Sequence, residues 1–559
     1  MNPQACRQMS TLKPALGSID RAFHAQMARA TQGISPASLS NAYLDWWIHL
    51  ATSPGKQGEL CLENSTAAAP TQDRRFEAPE WRQWPFNLFV QNFLRIEEWW
   101  QRATTGVGGV SAHHEQLASF FARQWLDMVS PSNFLLSNPE AQAEACRTGG
   151  MSLLRGAQYR RADALRLAAG EPPAVMEQFR PGHEVALTPG KVVMRNRLIE
   201  LIQYAPQTPT VHATPLLIVP SWILKYYILD LSPHNSLVRY LVEQGHTVFM
   251  VSWKNPDGED RELGMEDYLQ LGVMAAVDEI SRICPKPGIQ GLGYCLGGTL
   301  LAIAAAAMAR DGDTRLRSLS LLASELDFSE PGELGLFIDE SQLAYLDELM
   351  SEKGYLDGRQ MAGAFALLNA RDLVWSRMEH EYLMGQRAPV NDLVAWNADA
   401  TRMPERQHHE YLHQLYLHND LAEGRYPAGG KPVALADIAV PMFVLGTQRD
   451  TVSPWPSVYK AQLLTHGELT FCLCSGGHNV GVVDPPDGEV PHSYQLATRA
   501  AGGRFVEAGQ WAAETPAQLG SWWPAWAAWL AVRAGRRVRP PPLGRTVLGD
   551  APGLYVLQT

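Results

Sequence analysis

Short apolar runs, separated by helix-sized stretches, dominate the chain after about residue 190. Six of these runs predict buried strands: 215–219, 247–252, 288–293, 318–324, 440–446 and 469–474. Between the second and third runs, apolar residues keep a three-and-four spacing: Leu269, Val273, Ala276, Val277 and Ile280. That spacing predicts a helical crossover between two strands. The pattern therefore indicates an α/β protein with a mostly parallel, doubly wound sheet.

One interval in this pattern is too long for a simple crossover. Residues 325–439 separate the fourth and fifth predicted strands, whereas a crossover with its helix takes a few tens of residues at most. The interval has helical and aromatic content, which predicts a cap subdomain inserted in the sheet domain and packed over one end of the sheet. We expect the sheet domain itself to cover residues 186–559.

Residues 1–185 carry aromatic residues at helical spacing, interrupted by turns such as Ser130-Pro131. The aromatic positions are Tyr43, Trp46, Trp47, Trp84, Phe86, Phe89, Phe93, Trp99 and Trp100. This pattern predicts a helical N-terminal region. Aromatic stripes of this kind usually fill the contacts between helices, which we favour over a binding surface.

The composition adds limits on the class of protein. Of the 559 residues, 46% are apolar and 19% are charged, as in an ordinary folded enzyme. The net charge is −11, with Lys and Arg dispersed, so we expect no nucleic acid as a partner. The longest apolar run, 300–309, is half of the roughly 20 residues that a transmembrane segment needs. The N-terminus lacks the apolar core of a secretion signal, which favours a cytoplasmic location.

The cysteines give a further indication of compartment. Seven cysteines, widely scattered, make a poor disulfide framework and fit a reducing environment. Cys472 and Cys474 have no second Cys or His pair at ligand spacing, so we predict no metal site. We also expect no cofactor.

The segment Gly293-Tyr294-Cys295-Leu296-Gly297 lies between a predicted strand and an Ala-rich helix. This arrangement is the nucleophile elbow of an α/β-hydrolase, with Cys295 in the place of serine. The elbow needs small neighbours because the strand and the helix approach each other closely. The helix N-terminus favours a thiolate and leaves the Leu296 N–H free to bind an oxyanion. We therefore predict Cys295 as the nucleophile.

A thiol nucleophile needs a base, and the base needs a carboxylate, in the chain order nucleophile, acid, histidine. Asp450 follows the fifth predicted strand, and His478 lies on a glycine-flanked loop after the sixth. Alone, either residue is more often a turn or loop residue. Three positions in the correct order predict a catalytic triad. A second oxyanion donor is expected from the loop after the first predicted strand, and the N–H of Ile223 is the candidate.

Long motifs identify the family. The sequence resembles the polyhydroxyalkanoate synthases, with motifs placed along most of the chain. The motifs are SPSNFLLSNPEA (130–141), WILKYYILDLSPHNSLVRYL (222–241), VSWKNPD (251–257), GYCLGGTL (293–300), DLVAWNADATRMP (392–404), GGHNVGVVDPP (476–486) and GSWWPAWAAWL (520–530). The family's catalytic residues fall on Cys295, Asp450 and His478. One segment, RQHHEYLHQLYLHND (406–420), is richer in histidine than the family pattern.

The resemblance implies an enzyme that polymerises 3-hydroxyacyl groups from coenzyme A thioesters into polyester and releases coenzyme A. It also implies a homodimer at the surface of intracellular polyester granules, in contact with the growing chain. A thioesterase or polyester depolymerase of the same fold is the alternative, and a non-catalytic granule-binding protein is a second one. Whether Asp450 orients His478 or acts directly on the substrate hydroxyl is open. The acyl chain length and the need for a helper subunit are open as well.

Overall fold

Six parallel strands form the centre of an 11-stranded sheet in the computed structural model. The structure describes residues 20, 23–28, 31, 33–63, 73–286, 288–368, 370–488 and 492–559. The expected absence of a secretion signal falls mainly on residues 1–19, outside this part. Each central strand coincides with a predicted run to within about two residues, because a strand buried on both faces is apolar throughout.

The strands of this sheet are named in chain order. They are β1 (Gly190–Arg195), β2 (Ile199–Tyr204), β3 (Leu216–Val219), β4 (Val248–Trp253), β5 (Ile289–Tyr294), β6 (Leu316–Leu322), β7 (Met442–Thr447), β8 (Leu469–Cys474), β9 (Ser493–Arg499), β10 (Ala517–Leu519) and β11 (Gly549–Asp550). Their order in the sheet is β10-β9-β8-β7-β6-β5-β3-β4-β2-β1-β11.

The inner order β1-β2-β4-β3-β5-β6-β7-β8 is that of an α/β-hydrolase, which confirms the predicted fold class. The antiparallel strands β1, β2, β9, β10 and β11 were not among the predicted runs. β9 lies near one edge and is mostly half-exposed, so it lacks a continuous apolar run. β1 is partly buried and β2 is buried throughout, and both carry charged residues such as Glu200, which ion-pairs with Arg195.

Helices predominate in the described residues before the sheet, and they connect many of its strands. The bounds are α1 (Pro36–Ala51), α2 (Pro54–Glu63), α3 (Phe86–Thr104), α4 (Ala112–Met128), α5 (Pro139–Arg147), α6 (Met151–Ala169), α7 (Leu237–Glu243), α8 (Ala275–Ile283), α9 (Leu296–Arg310), α10 (Glu340–Ser351), α11 (Gly358–Leu368), α12 (Asp392–Ala398), α13 (Glu405–Tyr411), α14 (Trp455–Tyr459), α15 (Ala461–Leu464), α16 (Ala508–Glu514) and α17 (Trp523–Arg533). A π-helical turn, Tyr268–Met274, runs into α8 and completes the predicted crossover. Among the described residues, no helix has the length and apolar character needed to cross a membrane.

The chain divides into two compact units. One consists of Met1–Pro173, Asp339–Leu346 and Ala362–Val390, and the other of Ala174–Ile338, Asp347–Met361 and Asn391–Thr559. The first is helical and contains the predicted N-terminal helices. The second contains the whole sheet. The segment between β6 and β7 therefore contributes to both units, and its role as a cap stays a prediction.

The N-terminal aromatic residues have two environments. Trp46 packs with Val107 and Ala118, and Phe93 packs with Trp81 in a second buried cluster. These contacts confirm that part of the aromatic pattern fills helix contacts. Other large apolar side chains of this unit are more than half exposed: Leu44, Trp47, Trp84, Trp125, Leu136 and Leu167.

Candidate active site

Cys295 occupies the turn between β5 and α9. Its φ of 53° and ψ of −129° are strained for a residue with a side chain, and its backbone N–H donates to the Leu322 carbonyl at 2.9 Å. The side chain is buried, with 8% of the residue exposed. Such a turn places the side chain at the carboxyl-terminal edge of the sheet, beside the first turn of the following helix.

Two glycines make this turn possible. A Cβ atom at Gly293 would lie 2.2 Å from Cα of Gly298, and one at Gly297 would lie 2.2 Å from the Val219 carbonyl oxygen. Backbone atoms cannot move away cheaply, so any larger residue would force strand and helix apart. The predicted steric role of these glycines is thus a direct consequence of the packing around Cys295.

Asp450 and His478 lie on the loops after β7 and β8. Nδ1 of His478 is 2.7 Å from Oδ2 of Asp450. The carboxylate also accepts hydrogen bonds from the backbone N–H groups of Val452 and Ser453, at 2.9 and 2.8 Å, and from the Thr447 hydroxyl at 3.0 Å. A carboxylate with this many donors is held in one orientation, and it fixes the imidazole with Nδ1–H as donor.

The side chain of Cys295 also interacts electrostatically with the imidazole of His478, so the three predicted residues are brought to one place. Burial by itself lowers the pKa of His478. The negative charge on Asp450 and Cys295 outweighs burial and holds that pKa well above its usual value. The arrangement can therefore keep on His478 the proton that leaves the thiol.

The two predicted oxyanion donors belong to the first turn of α9 and to the loop after β3. Leu296 is the first residue of α9, where backbone N–H groups have no acceptor within the helix. Ile223 lies on the loop after β3. The carbonyl oxygen of Pro220, in the same loop, would be 2.4 Å from a Cβ atom at Gly297. The loop after β3 thus touches the first turn of the helix that Cys295 begins.

Residues of the long insertion hold this loop. Nε1 of Trp396 donates to the Lys225 carbonyl at 2.7 Å, and the Thr401 hydroxyl donates to the Trp222 carbonyl at 2.5 Å. The Thr401 N–H donates to the carbonyl of Ile223 at 3.2 Å. Trp396 and Thr401 belong to the motif at 392–404, so that motif fixes the backbone from which the second oxyanion donor is expected.

Sequence reasoning missed Glu325, which lies just beyond β6. Only 3% of this residue is exposed, and its Oε1 atom has no hydrogen-bond partner in the described part of the chain. Burial, reinforced by the charges of Asp450 and Cys295, raises the pKa of Glu325 well above its usual value. Glu325 is thus a buried acid of raised pKa that interacts with Asp450 and Cys295. Its position after a parallel strand was the available signal, since sites of α/β sheets form there.

Two buried tyrosines, Tyr411 and Tyr416, also belong to this site. Their rings pack edge to face with centroids 5.2 Å apart, and Tyr416 packs on Phe328 at 4.7 Å. Burial raises the pKa of both phenols, and the charge of Cys295 adds to the effect. No periodic pattern in the insertion pointed to these tyrosines, because their closeness to Cys295 depends on the fold.

The histidine loop is fixed by the tryptophan-rich motif at 520–530. Nε1 of Trp522 donates to the Gly481 carbonyl at 2.9 Å, and Nε1 of Trp523 donates to the Val482 carbonyl at 3.0 Å. Both indoles are fully buried. From the other side, the Tyr294 hydroxyl donates to Oδ1 of Asn479 at 2.6 Å. These bonds hold the backbone immediately after His478.

Comparison with known proteins gives the family. Residues 72–241 match the family described as "Poly-beta-hydroxybutyrate polymerase (PhaC) N-terminus", and residues 14–56 match "Poly-beta-hydroxybutyrate polymerase N terminal". A solved thioesterase domain from the curacin biosynthetic pathway aligns with 15% identity and a TM-score of 0.30 over 52% of this chain and 94% of its own. The strand order defines the fold without this likeness.

Curated relatives match over most of their length. The chain is 40% identical to a poly(3-hydroxyalkanoate) polymerase of Methylorubrum extorquens over 87% of this chain and 81% of the relative. It is 37% identical to the polymerase subunit PhaC of Cupriavidus necator, over 88% and 84% of the two chains. Identity to polymerase 2 of Ectopseudomonas oleovorans is 35%, over 91% and 90%. With this coverage and the family's motifs in place around Cys295, the chain belongs to the poly(3-hydroxyalkanoate) polymerase family.

Proposed function

We propose that this protein polymerises 3-hydroxyacyl groups from coenzyme A thioesters into polyester, with Cys295 as the covalent nucleophile. The observation that carries the proposal is the 2.7 Å hydrogen bond between His478 and Asp450, together with the place of Cys295 at a helix N-terminus. The names of the related polymerases support polymer synthesis as the overall reaction. The covalent intermediate and the release of coenzyme A are inferred from the chemistry of the site.

The first half-reaction transfers the acyl group to the enzyme. His478 takes the thiol proton, Sγ of Cys295 attacks the thioester carbonyl, and the tetrahedral oxygen binds the N–H groups of Leu296 and Ile223. Collapse of this intermediate breaks the bond to the coenzyme A sulfur, which receives the proton from His478. One thioester replaces another, so the step is close to isoenergetic and readily reversible.

The second half-reaction forms the ester bond. A 3-hydroxyl group gives its proton to His478 and attacks an acyl thioester, a C–O bond forms, and the C–S bond breaks with return of the proton to sulfur. His478 needs a partner that stabilises its positive charge, which is the role we propose for Asp450. Direct action of Asp450 on the hydroxyl is less favoured because its oxygens already accept bonds from Thr447, Val452 and Ser453.

The surroundings of the site complete the proposal. We place the boundaries at 1–185 for the helical region, 186–559 for the catalytic domain and 325–439 for its cap, with a homodimer acting at the surface of cytoplasmic polyester granules. Trp47, Trp84 and Trp125 support this location, with exposed fractions of 59%, 78% and 63%. Exposed apolar side chains of this size are suited to contact with an apolar surface such as polyester.

A radiolabelled 3-hydroxyacyl-coenzyme A assay with product sizing tests the function. Polymer of high mass supports the synthase, free hydroxy acid supports a thioesterase or depolymerase, and unchanged substrate supports a non-catalytic granule protein. The Cys295→Ala variant is the control, since a small side chain at the elbow adds no strain. Normal polymer formation by that variant would exclude Cys295 as nucleophile.

A further inference from the structure

Three side chains of the sheet-containing unit gather at a place distinct from the triad. Asp347 lies on α10, and His409 and His413 lie on α13 and the π-helical turn Leu412–Leu417 that continues it. Nδ1 of His409 is 2.8 Å from Oδ2 of Asp347, and Nε2 of His413 is 4.0 Å from the same oxygen. One ligand atom from each residue lies within 4.8 Å of the others.

The two histidines face the same way because they are four residues apart on a helix. Their ring centroids are 4.1 Å apart. The segment that carries them is the one whose histidine content departs from the family pattern. The adjacent His408 is buried, whereas the side chain of His409 is 48% exposed. The cluster is therefore open to ions from solvent.

The donor set selects the class of ion. Neutral imidazole nitrogen and a single carboxylate suit zinc and related divalent transition metals, whereas magnesium and calcium prefer oxygen donors throughout. The observed separations need shifts of about an ångström or less to reach tetrahedral zinc geometry, with bonds of about 2.0–2.2 Å. Side chains that are partly exposed can make such shifts without repacking the core.

We propose that Asp347, His409 and His413 bind one zinc ion, with water as the fourth ligand. The ion connects α10 to the segment 405–417. That segment also carries Tyr411, whose ring packs edge to face against Trp222 with centroids 6.1 Å apart, and Tyr416, whose ring packs on Tyr411. Bound zinc therefore stabilises the positions of Tyr411 and Tyr416, without taking part in acyl transfer.

Zinc binding to the chelator-treated full-length protein tests the proposal. Equilibrium dialysis with Zn²⁺ should give one bound equivalent that is weakened ~10-fold or more in His409→Ala and in His413→Ala, since even outer groups around a metal contribute 10- to 100-fold. His234→Ala is the control, because His234 is an exposed histidine of the same unit. It should bind like the wild type.

Two further measurements distinguish zinc bound at this site from zinc bound elsewhere on the protein. Co²⁺ should give the visible absorption of a low-symmetry, four-coordinate site in the wild type and in His234→Ala but not in Asp347→Asn. Zn²⁺ should raise the melting temperatures of the wild type and of His234→Ala, and it should leave the melting temperature of His409→Ala unchanged. The exposed thiols of Cys61 and Cys146 are present in every variant, so zinc retained by all of them belongs to those cysteines. No bound equivalent in the wild type, or equal affinity in all four variants, would overturn the proposal.

Discussion

His478 and Asp450 are joined by a 2.7 Å hydrogen bond, although they lie on loops that follow two different strands. The strands, β7 and β8, are neighbouring and parallel, so their carboxyl ends meet at one edge of the sheet. Cys295 follows β5 at the same edge. The parallel arrangement is what converts three distant chain positions into one connected group.

The first prediction concerns the base. His478→Gln should lower the rate of coenzyme A release by about 10²- to 10⁴-fold, because the thiol loses its proton acceptor. Asp450→Asn combined with it should add little, since members of a triad act as a unit. Steady-state coenzyme A release measures both effects. The exposed His466 provides the control His466→Gln, which should keep wild-type turnover. Equal rates for His478→Gln and His466→Gln would contradict the triad.

The second prediction uses a coenzyme A thioester whose acyl chain lacks the 3-hydroxyl group. Acylation of Cys295 needs only a carbonyl and the oxyanion donors, so this analogue should react once and then stop for lack of an alcohol nucleophile. At most one equivalent of coenzyme A per active site should be released, and intact-protein mass should show a long-lived adduct on Cys295. Continuous formation of free acid without an adduct would instead establish a hydrolase.

The third prediction concerns the buried acid Glu325. Its folded-state pKa is raised, so between about pH 4.3 and that pKa the unfolded chain releases a proton that the folded protein keeps. The free energy of unfolding then falls by about 1.4 kcal/mol per pH unit over that window. Glu325→Gln removes this loss, so its stability relative to the wild type should increase with pH in urea unfolding.

Asp327 supplies a matched control with the opposite sign. Burial raises its pKa, but hydrogen bonds from Ser329 and the charge of Lys460 outweigh burial and leave the pKa lowered. Its contribution to stability is present above the unfolded pKa and is lost as the pH falls. Asp327→Asn should therefore be less stable than the wild type at neutral pH, and the difference should shrink toward acid. The same pH trend for both variants would refute the neutral state of Glu325.

The fourth prediction concerns the support of the histidine loop. Trp522→Phe removes the hydrogen bond to the Gly481 carbonyl, at a cost of about 0.5–1.5 kcal/mol in the free energy of unfolding. Trp526→Phe is its match, because Trp526 is equally buried but donates to the Ser320 hydroxyl at 3.0 Å. The two variants should lose similar stability, while kcat should fall further in Trp522→Phe. Equal kcat values in the two variants would mean that the hydrogen bond from Trp522 does not position His478.

The fifth prediction tests the proposed cap. An insertion that admits a bulky thioester and releases a growing chain has to open, so amides of residues 325–439 should exchange faster than those of β5 and β6. Binding of the non-hydroxylated analogue should slow that exchange. Hydrogen-exchange mass spectrometry measures both, and uniformly slow exchange with and without the analogue would argue against gating.

Local sequence pattern predicted the central strands, the elbow at Cys295 and the order of Asp450 and His478 along the chain. Those features are local: a doubly buried strand must be apolar, and a tight strand-to-helix turn needs glycines such as Gly293 and Gly297. Tertiary structure decided the rest. Glu325, Tyr411 and Tyr416 join the site, and Asp347 meets His409 and His413, through contacts between residues far apart in the chain. Such contacts depend on how separate elements pack, and no periodicity along the chain records that packing.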